Sequence, residues 1–206
     1  MNRFLKRAWA EIDLDALEHN YNEIKKLAKG KDILAVVKAN AYGHDDKAVC
    51  LKLQELGVKY YGVSNLWEGE KLRQHGITGT ILTFGYTDED YFDELLEYGI
   101  TQTAGSVQYA KQLSDYAVSK GVKLPVHIKV NTGMTRVGID SQQEMLDIIA
   151  MPGLDCKAAY THFAAADSLD PSDVEYTDRQ QEKLMKIAKD KGLLIHSPVS
   201  YTHLTL

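Results

Sequence analysis

A chain of 206 residues, 44% hydrophobic and 26% charged, has an ordinary globular composition and is long enough to bury one sizeable core. Its formal charge of −5, with no basic cluster, argues against a nucleic-acid surface. No apolar run approaches the ~18 residues of a membrane span. The basic start Met1–Arg7 lacks a signal peptide's apolar stretch, and Cys50 and Cys156 form no CxxC pair, so a cytoplasmic protein with reduced, buried thiols and no metal site is expected.

Strand-like runs alternate with amphipathic helical patterns along the chain. After an opening segment, Ala8 to Asp13, a helix starts near Asp13 or Asp15 and places Leu14, Leu17, Tyr21, Ile24 and Ala28 on one face. Strand one is 33–37, and a helix over about 45–56 ends at Gly57. Tyr60 to Val63 is the second strand, followed by a helix up to Gly76. Thr80 to Phe84 is the third, with a helix over 88–98. A fourth strand, Ile100 to Thr103, leads to a helix that Ser106 caps and Gly121 ends. Strand five is Leu124 to Val130. Ser141 and Glu144 then form a capping box, and Pro152-Gly153 stops that helix. A strand over 156–160, a helix over 176–190 and a seventh strand from Leu193 complete the pattern.

Strict alternation implies a parallel sheet with helical crossovers. No glycine-rich phosphate loop follows strand one, which weakens a dinucleotide-binding open sheet. Lys38, Arg136 and His162 each follow a different apolar run. In a closed parallel barrel all strand C-termini open on one face, so these three converge. The expected fold is an α/β (β/α)8 barrel, truncated after about six βα units.

The chemistry concentrates in three segments. Ile33 to Val37 runs straight into Lys38, whose half-desolvated position at a strand end lowers an amine's pKa toward the neutral nucleophile. A lone strand-end lysine more often snorkels its charge into water. Arg136 lies between the strand break Thr132-Gly133 and Gly138, able to present a planar fork to a carboxylate or phenolate. On spacing alone a surface loop arginine is the commoner case. His162 ends an apolar run, where a packed core imidazole is the commoner case. His44 lacks zinc-like partners, and Asp45-Asp46 read as a helix start.

The whole strings decide these cases. Lys38-Ala39-Asn40-Ala41-Tyr42-Gly43-His44 resembles the cofactor-lysine motif of alanine racemases, the fold-type III pyridoxal-phosphate enzymes. Thr132-Gly133-Met134-Thr135-Arg136-Val137-Gly138 and Thr161-His162-Phe163-Ala164 are similar to two further motifs of that family. The resemblance implies pyridoxal 5′-phosphate as cofactor, carried by Lys38 as both tether and catalytic base. It implies that Tyr42 bonds the phosphate, that Arg136 contacts the phenolic oxygen and the substrate carboxylate, and that His162 lies beside the ring. Lys129 matches a lysine that is carbamylated in some members and pairs with that arginine. Asn131 stands where many members have Asp, which alters local charge.

The likeness runs from Trp9 to about Ser197, so 1–197 reads as the N-terminal barrel domain, incomplete, of an alanine racemase-like protein. Residues 198–206, containing Val-Ser-Tyr-Thr-His-Leu, look like a translated sequencing adapter and are read as a non-native tail. The implied activity is racemisation of L-alanine to D-alanine for peptidoglycan precursors, by a homodimer that supplies a second base from the partner subunit. The chain as given is expected to be inactive. Alternatives are a serine racemase of the glycopeptide-resistance type and a non-catalytic pyridoxal-phosphate homeostasis protein. Met134–Gly138 and the Ala8–Asp13 segment, a strand in racemases, favour the racemase.

Overall fold

The computed structural model describes residues 9–197. The proposed tail at 198–206 lies outside the described residues, as does Ala8. Seven strands form one all-parallel sheet in sequence order: β1 (Leu34–Val36), β2 (Tyr60–Val63), β3 (Thr80–Thr83), β4 (Ile100–Ala104), β5 (Leu124–Lys129), β6 (Leu154–Tyr160) and β7 (Leu194–His196). The sheet curls through 250° with helices on its outer face, an incomplete (β/α)8 barrel.

Among the described residues, seven of the eight α-helical segments are ordinary: α1 (Leu14–Leu27), α3 (Asp46–Glu55), α4 (Leu66–Gln74), α5 (Phe92–Glu97), α6 (Val107–Ser119), α7 (Gln142–Ile149) and α8 (Pro171–Ala188). The side chains of Asp13, Asp45, Asn65, Ser106 and Asp170 each cap a helix start, and Ser141 with Glu144 forms the expected capping box. Several boundaries differ from the sequence reading: β6 begins at Leu154 rather than 156, and the helix read over 88–98 is a 3-10 turn, Glu89–Tyr91, followed by α5. Helix α8 begins five residues before 176, because Asp170 caps it and Pro171 occupies its first turn, where a missing N–H costs nothing. Residues 9–13 form no strand, since no neighbouring strand pairs with them among the described residues.

Alternation divides each strand between two environments. Outward residues such as Tyr61, Ile81, Ile100 and Ile128 pack against Leu53, Leu72, Leu95 and Leu113 of the helices, making the main core. Burying each such side chain contributes about 1.5–3 kcal/mol. At the N-terminal end of the sheet the Arg73 guanidinium donates to the carbonyls of Ile77, Gly79, Tyr98 and Gly99 at 2.7–3.0 Å, stitching the entries to β3 and β4 together.

The inward face is set partly by an irregularity. Register slips between Val126 and His127: Val126 pairs Cys156 but His127 pairs Ala158, leaving Lys157 as the extra residue of a bulge. A bulge re-aims the residues beyond it. Ala158 and Tyr160 thereby share the inner face with His127 and Lys129. Cys50 is fully buried as expected, while Cys156 is only half-buried. Among the described residues, no helix is long and apolar enough to cross a membrane.

Candidate active site

The C-terminal ends of the strands open onto a hollow lined by Lys38, Tyr42, Lys129, Arg136 and His162, the residues the sequence singles out. Lys38 follows β1 after one residue, Val37. The chain beyond it does not form an ordinary loop. Segment α2 (Lys38–Gly43) contains four consecutive non-glycine residues, Ala39 to Tyr42, with φ of 50–56°. This is one turn of left-handed helix, which costs roughly 1–2 kcal/mol per residue for L-amino acids. Strain of this kind persists only where the surroundings over-determine it.

Those surroundings are visible. Ala41 N–H donates to Val37 C=O (2.9 Å), and Ala39 N–H donates to the Glu68 carboxylate (2.8 Å). The Asn40 side-chain oxygen accepts from Asp46 N–H (3.1 Å) and Lys71 (3.4 Å). Lys71 also pairs with the buried Asp46 carboxylate at 2.9 Å. Asp45 caps α3 through Ala48 N–H, and His44 Nδ1 lies 3.0 Å from Ala41 C=O, so neither is placed as a metal ligand. The turn carries Tyr42 back over the lysine, with Lys38 Nζ 6.0 Å from its ring centroid.

Lys129 ends β5 and is 5% exposed, its Nζ 4.9 Å from the Tyr160 ring centroid. Burial first, then the Arg136 charge, pulls its pKa down to about 7. Lys38 is half-buried, as its strand-end position implies. The structure places the deeper burial at Lys129, because Lys38 sits at the rim while Lys129 still belongs to the sheet. Tyr160 is buried beneath, its hydroxyl 2.8 Å from that of Thr103, which donates to Thr83 C=O (2.7 Å). Burial pushes the Tyr160 phenol up.

Arg136 lies on the loop after β5, solvent-exposed and close enough to act electrostatically on Lys129, Tyr160 and His162. The loop is tightly built. Asn131 accepts from Gly133 and Thr135 N–H and donates to Asp140 (3.1 Å), a bond that an ionised Asp at this position would replace with repulsion. Gly133 (φ 142°) has Tyr176 against it, whose hydroxyl donates to Gly133 C=O; an added Cβ would lie 2.3 Å from that oxygen. Gln180 on α8 donates to Thr132 and accepts from Ala164 N–H, tying the Arg136 and His162 loops together. His162 is held below the ordinary imidazole range by burial, then by the charges of Lys129, Arg136 and Lys38. All three cations therefore reach one imidazole.

Sequence reasoning missed Glu68, Tyr176 and Gln180, whose roles exist only once α4 and α8 dock. It also missed the His127–His196 pair, 3.0 Å between Nδ1 and Nε2, with His196 stacked on Tyr160 at 4.9 Å and 4°. Burial lowers both imidazoles.

Among the described residues no carboxylate is ion-paired with Lys38, Lys129 or Arg136. Converging cations without an anion suit an anionic ligand, and a primary amine at the rim suits an aldehyde. Pyridoxal phosphate, with its phosphate, phenolate and aldehyde, fits that donor set.

A family model, alanine racemase N-terminal domain, matches residues 12–204. The alanine racemase of Clostridium perfringens (strain SM101) is 38% identical over 98% of this chain and 53% of its own length. A solved alanine racemase from Clostridium difficile 630 superposes with a TM-score of 0.86 at 34% identity, over 95% of this chain and 53% of that one. A histidine racemase from Leuconostoc mesenteroides superposes at 0.81 with 28% identity, covering 90% of this chain and 51% of that one. The chain thus spans about half the length of the relatives it matches.

Proposed function

The chain belongs to the alanine racemase family, and from that premise we propose that it forms the pyridoxal-phosphate-binding barrel of an enzyme interconverting L- and D-alanine. The observation that carries this reading is the mouth of the barrel. Lys38 stands beside Tyr42, and Lys129, Arg136 and His162 line the same hollow, with no carboxylate paired to the two lysines or the arginine among the described residues. The setting is the cytoplasm and the product serves peptidoglycan precursors.

The bound cofactor supplies a conjugated ring that stabilises the carbanion left when an α-proton departs. Lys38 Nζ would tether it and, as a free amine, would move the α-proton on one face. Arg136 would offer its fork to the phenolic oxygen and the substrate carboxylate. Tyr42 would hold the phosphate, and His162 would lie beside the ring. Lys129, with a pKa of about 7, is partly neutral at physiological pH. Its free amine can add to carbon dioxide, losing one proton, to give a carbamate anion that pairs with Arg136. Racemisation needs a second base on the opposite face, which this reading assigns to the partner subunit of a homodimer.

The test is borohydride reduction of the full-length protein with pyridoxal phosphate, followed by peptide mapping, alongside chiral chromatography of L-alanine, L-serine and L-histidine reactions. The label is expected on Lys38, and Lys38→Ala should lower D-alanine formation by more than about 10³-fold. A label elsewhere, or turnover indifferent to Lys38→Ala, overturns the assignment. Preferential turnover of serine or histidine would move the substrate while keeping the site.

A further inference from the structure

We infer that Glu68 is a positioning residue for Lys38 and Tyr42: its carboxylate ties the C-terminal ends of β1 and β2 together and holds the left-handed turn in register. Lys38 is followed immediately by Ala39, whose N–H donates to Glu68 Oε1 at 2.8 Å. Ser64, the residue just past β2, donates its N–H to Glu68 Oε2 at 2.7 Å. One carboxylate thus accepts from the chain leaving each of two neighbouring strands, with each oxygen committed to a different strand.

The placement follows from α4. Asn65 caps the helix by accepting from Glu68 N–H (3.0 Å), which presents the Glu68 side chain toward the helix N-terminus and the strand ends. The same helix contributes Lys71, one turn further along, to Asn40 and Asp46. So α4 grips the strained turn at two points, Ala39 through Glu68 and Asn40 through Lys71. Four residues with positive φ have no intrinsic preference for this shape. Without the Glu68 acceptor the Ala39 amide loses its partner, and the turn is free to relax toward ordinary backbone. Relaxation there shifts Lys38, which precedes the turn, and Tyr42, which ends it.

The inference rests on the proposed cofactor role of Lys38, and its test separates the two. In the full-length protein without cofactor, amide hydrogen exchange at Ala39 and Ser64 should accelerate about tenfold or more in Glu68→Gln, which keeps one acceptor oxygen and turns an amide toward the other N–H. With cofactor, borohydride labelling of Lys38 should slow and kcat should fall by about 10²-fold with a smaller change in KM. Glu68→Asp, one methylene shorter, should lie between. Glu70→Gln on the same helix, whose carboxylate accepts from Gln74, should match wild type in all three readouts. If wild type itself is unlabelled at Lys38, the proposed function fails. If wild type is labelled and active, and Glu68→Gln and Glu68→Asp match it in exchange, labelling and kcat, the positioning role is overturned. It is equally overturned if these variants lose folded protein while the folded remainder keeps wild-type rates.

Discussion

The inner surface of the barrel divides into two unlike halves. Over β1–β3 it is lined by Leu34, Val36, Gly62, Leu82 and Phe84, with Tyr60 and Thr80 at the strand entries; over β4–β7 by Thr101, Thr103, His127, Lys129, Tyr160 and His196, with Ala158 and Leu194 at the entries. In the first half packing governs: a Cβ on Gly62 would lie 2.5 Å from the Phe84 ring and 3.0 Å from Leu34, so glycine is the residue that lets that ring cross. In the second half polar groups meet in sequence-distant pairs, buried Thr103 with Tyr160 and buried His127 with half-buried His196. Branched aliphatic layers are the usual filling of such barrels. The β4–β7 half gives up that stabilisation to hold groups whose protonation matters. Phe84 meets Tyr160 at the seam, with ring centroids 6.0 Å apart.

The sharpest way to break this comparison is to exchange the characters of the halves. Leu82 is fully buried, lies outside the helix-packed core and shares the inward register of Gly62 and Thr101. Leu82→Lys should destabilise by more than about 4 kcal/mol in urea unfolding, because nothing there accepts an ammonium. A loss below about 1 kcal/mol would erase the distinction. The converse change, Lys129→Met, should stabilise at neutral pH while abolishing activity. A folded pKa of about 7, below the ordinary lysine value, means that above about pH 7 the unfolded chain holds a proton the folded chain lacks. Stability therefore rises between about pH 7 and about pH 10, by roughly 1.4 kcal/mol for each step of one in pH, and is lowest below the folded pKa. In CO2-free buffer Lys129→Met should remove that slope and gain about 3–5 kcal/mol at pH 6. Wild type melting independently of pH across this window would place the amine in water.

The two halves also differ in how much of them sequence reveals. Strand β2 and the capping box at Ser141 and Glu144 are local signals, and both stand where periodicity and capping chemistry place them. The convergence of Lys38, Arg136 and His162 follows from barrel geometry once alternation is recognised. Their chemistry, however, was legible only as whole motif strings resembling a family. What escaped has no local signature. Ala39-Asn40-Ala41-Tyr42 carries no glycine to announce a left-handed turn, which exists because α4 and α3 hold it. The Lys157 bulge depends on how β6 lies against β5, and it decides that Tyr160 faces inward. Lys38 is half-buried, as its strand-end position implies, but the deeper burial of Lys129 escaped, because only the folded sheet distinguishes a lysine within a strand's last step from one just beyond it.

The His127–His196 pair sharpens the comparison from the acid side, with a smaller effect. His127 faces His196 on β7, which stacks on Tyr160 of β6 and feels the Lys129 charge, so a proton added to either imidazole meets a desolvated site, and at His196 a nearby amine rather than a carboxylate. Both folded pKa values lie below the ordinary imidazole range, with burial the first cause in each. Between about pH 6.5 and 4 the unfolded chain therefore takes up protons that the folded chain refuses, and stability falls as pH drops through that window. His127→Asn leaves an amide where Nδ1 stood, able to bond His196 but unable to titrate. It should cost about 1–2 kcal/mol at pH 8 through the smaller side chain. It should also flatten the acid limb in a series of urea midpoints, since one of two coupled sites is gone and His196 keeps a neutral partner. An acid limb as steep in His127→Asn as in wild type would assign it to carboxylates on the outside of the barrel. The polar half would then be a place where charge is merely absent, not one where the fold resists it.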